Sequence, residues 1–244
     1  MAALAPKGAG AIPRFVDAVC PAAWGLAPEQ NEAVAARLRQ VAVAVGLKAA
    51  AEGCAPNAFV VAAGDKRAFV EALARRRPKA FGVLGPREVV RLARAPGPAV
   101  AWQLAGAGHL EGDAYKRYDD VFAGRVSEAS EVEARARANP RGFDASVLVV
   151  EMKALEGLTV TQLADYAAMR LFAKLDPARL GAGAPPTILM ALDAPAGSEV
   201  PVTMTRWDAG FLKGLYASGF ERSTAAQRAA IGRSVAKGVA APER

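Results

Sequence analysis

The stretch Ser146-Val147-Leu148-Val149-Val150 constrains the fold more than any other in this chain. It is an apolar run too short for a helix and rich in β-branched side chains, the pattern of a central strand. A central strand needs neighbours, and the sequence offers two. Ala58 to Ala62 places Phe59, Val60 and Val61 between the Cys54-Ala55-Pro56-Asn57 turn and Gly64, the pattern of a buried strand. Ala99 to Leu104 alternates Val100, Trp102 and Leu104 with smaller residues, which predicts a strand with one better-buried face.

Helical periodicity fills the intervals. From Pro28 to Val45, the residues Val34, Leu38, Val41 and Val45 recur at helical spacing, and Gly46 supplies the stop. Gly64 and Asp65 open a second helix with Phe69, Val70 and Leu73 turned inward and Pro78 at its end. Pro86 starts a third around Val89, Val90 and Leu92, closed by Pro96-Gly97-Pro98. Thr159 to Leu175 sets Ala164, Ala167, Ala168, Leu171, Phe172 and Leu175 on one face and ends at Asp176-Pro177. The tail holds two helices opened by capping boxes, Thr205 with Asp208 and Thr224 with Gln227, and Trp207, Phe211, Leu215 and Ile231 face inward. Between Ala105 and Asp144 the pattern weakens, and Ser127 to Ala138 reads as either a short helix or a loop. Without repeats, linkers or a shift in composition, the expectation is one α+β domain over 15–237. It is a small mixed sheet packed with helices, with flexible ends at 1–14 and 238–244.

A chain of 244 residues that is 52% hydrophobic can bury one substantial core without help from a metal. No run of eighteen apolar residues occurs, so a membrane-spanning helix is not expected. Met1 to Arg14 lacks the basic leader, apolar segment and cleavage site of a signal peptide, which leaves a cytosolic protein or one whose leader has been removed. The two cysteines bear on that choice. Cys20 and Cys54 sit in Pro-containing turns flanking the first helix, a placement that suits a disulfide, with two unrelated buried thiols as the alternative. Such a bond persists in an oxidising compartment, which makes the periplasm or the exterior the expected location and the cytoplasm the alternative.

The net charge of +7 raises the possibility of a nucleic-acid or anionic partner. Its distribution reads mainly as solvated helix faces. Arg75, Arg76, Arg77 and Lys79 cluster at one helix end, where cations favour the macrodipole, and Arg135 and Arg137 follow Glu128, Glu131 and Glu133. No stretch interleaves basic groups with aromatics as single-strand binders do, which argues against nucleic acid and leaves a basic cytosolic nucleic-acid-binding protein as the second alternative. An envelope protein or an anionic ligand remains the expected kind of partner.

Chemistry-bearing motifs are incomplete. Gly106, Gly108 and Gly112 follow a strand but miss the dinucleotide-turn spacing by one residue, and no apolar helix follows them. His109 is the only histidine; with Glu111, Asp113, Asp119 and Asp120 it offers oxygen-rich ligands without a regular calcium-loop spacing. A single histidine excludes any two-histidine metal motif, and no Gly-x-Ser-x-Gly elbow occurs. Glu151 and Glu156 beyond the central strand, with Asp165 on the next helix, leave paired-carboxylate hydrolysis open as an alternative. No catalytic residue, metal ligand or cofactor is assigned; the assigned pair is Cys20 with Cys54.

The order helix, strand, helix, strand, then Val147 to Val150 leading into an Ala-rich helix, resembles the catalytic half of zincin-like metalloprotease domains. Leu158-Thr159-Val160-Thr161-Gln162-Leu163-Ala164-Asp165-Tyr166-Ala167 sits where such domains carry the zinc-binding helix. Pro186-Thr187-Ile188-Leu189-Met190 looks like the methionine turn of the metzincin branch. Thr205-Arg206-Trp207-Asp208, continuing through Phe211-Leu212, Leu215 and Tyr216, is similar to the C-terminal helix of an uncharacterised bacterial family of degenerate zincin-like proteins. The resemblance covers about the last hundred residues. It implies a zincin-like scaffold whose two histidines and glutamate have been lost, since Gln162 to Ala167 supplies neither imidazole nor a placed glutamate. The function it implies is that of an exported, non-catalytic binding or envelope-associated module.

Overall fold

The computed structural model describes residues 12–82, 84–104, 142–179, 185–193, 199–217 and 223–240. The strands are β1 (Arg14–Phe15), β2 (Pro21–Trp24), β3 (Ala58–Ala63), β4 (Ala99–Leu104), β5 (Gly142–Phe143) and β6 (Ala145–Glu151). The helices are α1 (Pro28–Val45), α2 (Lys66–Arg76), α3 (Pro86–Ala93), α4 (Val160–Phe172), α5 (Met190–Asp193), α6 (Arg206–Ala217) and α7 (Thr224–Ala240), with short 3-10 turns at Pro78–Phe81, Met152–Leu155 and Pro177–Arg179.

β6 is the central strand that its composition predicts. The main sheet runs β2-β3-β6-β4; β2, β3 and β6 are parallel, and β4 lies antiparallel on the edge, with Val61 opposite Val149 and Val149 opposite Val100. Side chains alternate across the strands and so divide the core in two. Val60, Leu148 and Val150 face the larger cluster, under α1, α4, α6 and α7, whereas Phe59, Val147, Val149, Val100 and Trp102 face the smaller one, under α2 and α3. The sheet is mixed, as expected. Helices on both faces and parallel crossovers make the architecture a layered α/β one, more ordered than the α+β packing read from the sequence.

The first crossover, β2 to α1 to β3, is closed covalently. Cys20 and Cys54 form a disulfide with Cα atoms 6.1 Å apart. Asn57 reinforces the same corner: its side chain accepts from the Cys20 N–H at 2.7 Å and donates to the Ala18 carbonyl at 3.1 Å. Gly25 leaves β2 at φ +91°, and a Cβ there would lie 2.0 Å from the Ala62 carbonyl oxygen, so only glycine allows β2 and β3 to end side by side.

Several local expectations are corrected by packing. Val90 of α3 is 49% exposed, and Val89, Leu92 and Ala93 make the inward face instead. The helix expected to reach Leu175 stops at Phe172, because Ala173 is extended and bridges Arg14. It is also buried on every side from Gln162 to Phe172 rather than on one face. The cap of α7 is Ser223, whose hydroxyl accepts from the Ala226 N–H. Gln227 is thereby released to hold the N–H and carbonyl of Ile12 at 2.8 and 3.0 Å. Ile12 and Arg14, expected in a loose end, are buried, and α7 continues to Ala240.

Candidate functional site

The carboxylates singled out in the sequence do not converge. Asp165 is fully buried on α4, where Arg37 of α1 donates to its two oxygens at 2.8 and 3.0 Å. Thr203 Oγ1 and the Met204 N–H donate to Oδ2 at 2.6 and 2.7 Å. Hydrogen bonding to this carboxylate raises the Arg37 pKa above its ordinary value. A carboxylate accepting four bonds in fixed directions is committed to joining α1, α4 and the 203–204 segment. Glu151 lies at the other side of the sheet, since it continues the alternation that puts Val147 and Val149 in the smaller cluster; Lys153 pairs with it at 3.1 Å. Glu156 is exposed.

Asp208 was legible only as a capping residue. It is fully buried and accepts from Thr187 Oγ1 at 2.5 Å, from the Ile188 and Thr205 N–H groups at 2.9 Å each, and from Thr205 Oγ1 at 2.8 Å. Burial pushes its pKa up, and these hydrogen bonds oppose the shift. Asp165 and Asp208 together fix Thr203-Met204-Thr205 between α4 and α6.

The polar groups of α4 at the position of the implied zinc helix are likewise occupied. Gln162 caps its own helix through Thr159 and donates to the Pro201 carbonyl at 3.0 Å. Tyr166 is buried and receives a hydrogen bond from Arg170, whose guanidinium lies over the tyrosine ring. Leu163 is a core residue. The stretch Thr187-Ile188-Leu189 is buried against Asp208, and Met190 is half-buried at the start of α5.

The layer of α2, the 3-10 turn and α3 is different in kind. Residues 65–94 carry nine basic and three acidic side chains, a net +6 against +7 for the whole chain. One of the nine, Lys66, is buried, with its ammonium on the Ala95 and Gly97 carbonyls at 2.5 and 2.6 Å; desolvation lowers its pKa. It pins the turn into β4. Arg67, Arg75, Arg76, Lys79, Arg87, Arg91 and Arg94 are exposed and Arg77 half-buried. Glu71 is bound by Arg67 at 2.8 Å, and its pKa is lowered by that bond, with Arg75 and Arg94 adding to the effect, so the exposed faces of α2 and α3 form one electrostatic surface. On α3, Arg87, Val90, Arg91 and Arg94 fall on a single stripe at helical spacing. That spacing is present in the sequence; only the packing of α3 beside α2 shows that the two basic runs share a face.

Gly106, Gly108, Gly112, His109, Glu111, Asp113, Asp119 and Asp120, with Ser127 to Ala138, lie outside the described residues. Among the described residues no group of three His, Cys, Asp or Glu side chains could hold a metal, and no helix is long and apolar enough to cross a membrane. No protein-family model matches the chain, and no curated protein or solved structure matches it significantly.

Proposed function

We propose that this chain is an exported, non-catalytic bacterial module on a pseudo-zincin scaffold, and that it binds an anionic partner through the α2–α3 layer. The observation that carries the reading is the gathering of nearly all the net charge onto that one layer, net +6 of +7. Support comes from the polar groups that a hydrolase would use. Asp165, Asp208 and Gln162 are spent on hydrogen bonds between elements, and Glu151 and Asp165 are separated by the sheet. The Cys20–Cys54 bond fits a protein that works outside a reducing compartment. The pseudo-zincin part of the proposal rests on the order of elements, with α4 following the central strand.

The test is retention on immobilised heparin, a generic polyanion. The oxidised protein is expected to elute well above physiological salt, and Arg87→Glu with Arg91→Glu to elute much earlier at unchanged melting temperature. Equal elution of the two would sink the proposal. Stoichiometric metal in protein purified from its native cell would remove the non-catalytic half of it.

A further inference from the structure

We infer that the polyanion is a lipid surface: the α2–α3 layer docks flat on an anionic bilayer, with Val90 entering the headgroup region between arginines. The inference rests on the anion-binding reading above and specifies its partner. Three observations select a bilayer. The layer is two adjacent helices and a turn, with Arg75 and Arg76 at one end and Arg87, Arg91 and Arg94 along the other helix, all exposed. A face of several exposed guanidinium groups complements the many phosphates of an anionic leaflet, the attraction of basic groups near such a surface acting within about a Debye length. Arg75, Arg76 and Arg87 make no salt bridge among the described residues, so no ion pair has to be broken for them to engage headgroups.

The second observation is Val90. It is 49% exposed in the middle of the Arg87–Arg94 stripe, while its neighbours Val89 and Leu92 pack inward. An apolar side chain ringed by arginines suits the boundary between headgroups and acyl chains, where an interfacial helix buries its apolar groups. The third is the lack of stacking groups: Phe69 and Phe81 pack into the core, and the exposed face of the layer carries no aromatic ring for nucleobases. The disulfide adds that the partner is met in an oxidising compartment, where membrane leaflets are a persistent polyanion and nucleic acid is not.

The experiment uses the full oxidised chain and co-sedimentation with vesicles of phosphatidylcholine, with and without phosphatidylglycerol, beside binding to heparin and to duplex DNA. Of the two kinds of vesicle, binding is expected only to those with phosphatidylglycerol, and it should fall steeply as salt rises. Each Arg→Glu change at Arg87, Arg91 or Arg94 should weaken it by roughly fivefold or more. Val90→Ser, which removes the apolar side chain without changing charge, should weaken vesicle binding and leave heparin retention nearly unchanged, an effect that charge alone cannot produce. Heparin retention without vesicle binding would overturn the bilayer and leave the anion-binding proposal standing. Tighter binding to duplex DNA than to the vesicles would overturn it in favour of nucleic acid. Loss of heparin and vesicle binding together would remove both.

Discussion

At the scale of single residues, two aspartates illustrate how one side chain type is used in opposite electrostatic settings. Asp165 is matched by a guanidinium, and truncation would strand Arg37, a hydroxyl and an N–H at once. Asp165→Ala is therefore expected to cost about 3 kcal/mol, checked by urea unfolding, the partly exposed Arg37 recovering some solvation. Asp208 has no cationic partner among its hydrogen bonds, and burial raises its folded pKa above the ordinary 3.8. A raised acid favours the folded state while it is protonated, so this contribution is present below pH 3.8 and lost as the pH rises through the higher folded value. Asp208→Asn should flatten that part of the stability profile. It can keep the geometry, with its oxygen accepting from Ile188 and Thr205 and its amide donating to the Thr187 hydroxyl. At neutral pH its stability should stay within about 1 kcal/mol of the parent, whereas Asp208→Ala should lose about 2 kcal/mol or more.

At the scale of elements, α6 packs on α7 backbone to backbone. A Cβ on Gly214 would stand 2.5 Å from Ile231 Cα, and one on Gly210 2.8 Å from Val235 Cα. Backbone against backbone leaves no side chain that could move aside. Gly214→Ala would raise intrinsic helix propensity, yet it is expected to destabilise by about 1–3 kcal/mol, read from a thermal melt, because the two helices must part. The alanines of α4 act in the same sense. Ala164, Ala167 and Ala168 are buried, which lets α1 and the sheet approach this helix from different sides. Helix-forming periodicity marked where these elements lie, but not that α4 would be enclosed on every side.

At the scale of the whole molecule, the disulfide holds the first crossover and Gln227 and Arg14 tie the N-terminal segment to the C-terminal helices. The Cys20–Cys54 bond spans 34 residues of sequence. Replacing both with Ser should lower stability by roughly 3–4 kcal/mol through the freedom returned to the unfolded chain. A reducing agent should shift the unfolding midpoint of the parent protein and leave that of the double variant unmoved. On the opposite side of the molecule from α1 and α4, the basic α2–α3 layer concentrates charge where the core no longer constrains the side chains, so charge reversal there should alter binding more than stability.

The sequence by itself determined the kind and place of most elements. The Val147–Val150 run, the Val34-Leu38-Val41-Val45 spacing and the Thr205–Asp208 capping box are local signals, set by the periods of strand and helix and by caps a few residues long. The two cysteines could likewise be paired from their turns. The tertiary structure alone decided that β6 lies between β3 and an antiparallel β4, that Asp165 is consumed by partners 38 or more residues away and Asp208 also by Thr187 and Ile188, 20 or more away, and that two separate arginine runs share one face. Ladder pairing, burial and surface charge depend on residues distant in the chain that folding brings together, and a local period carries no record of which distant residues those are.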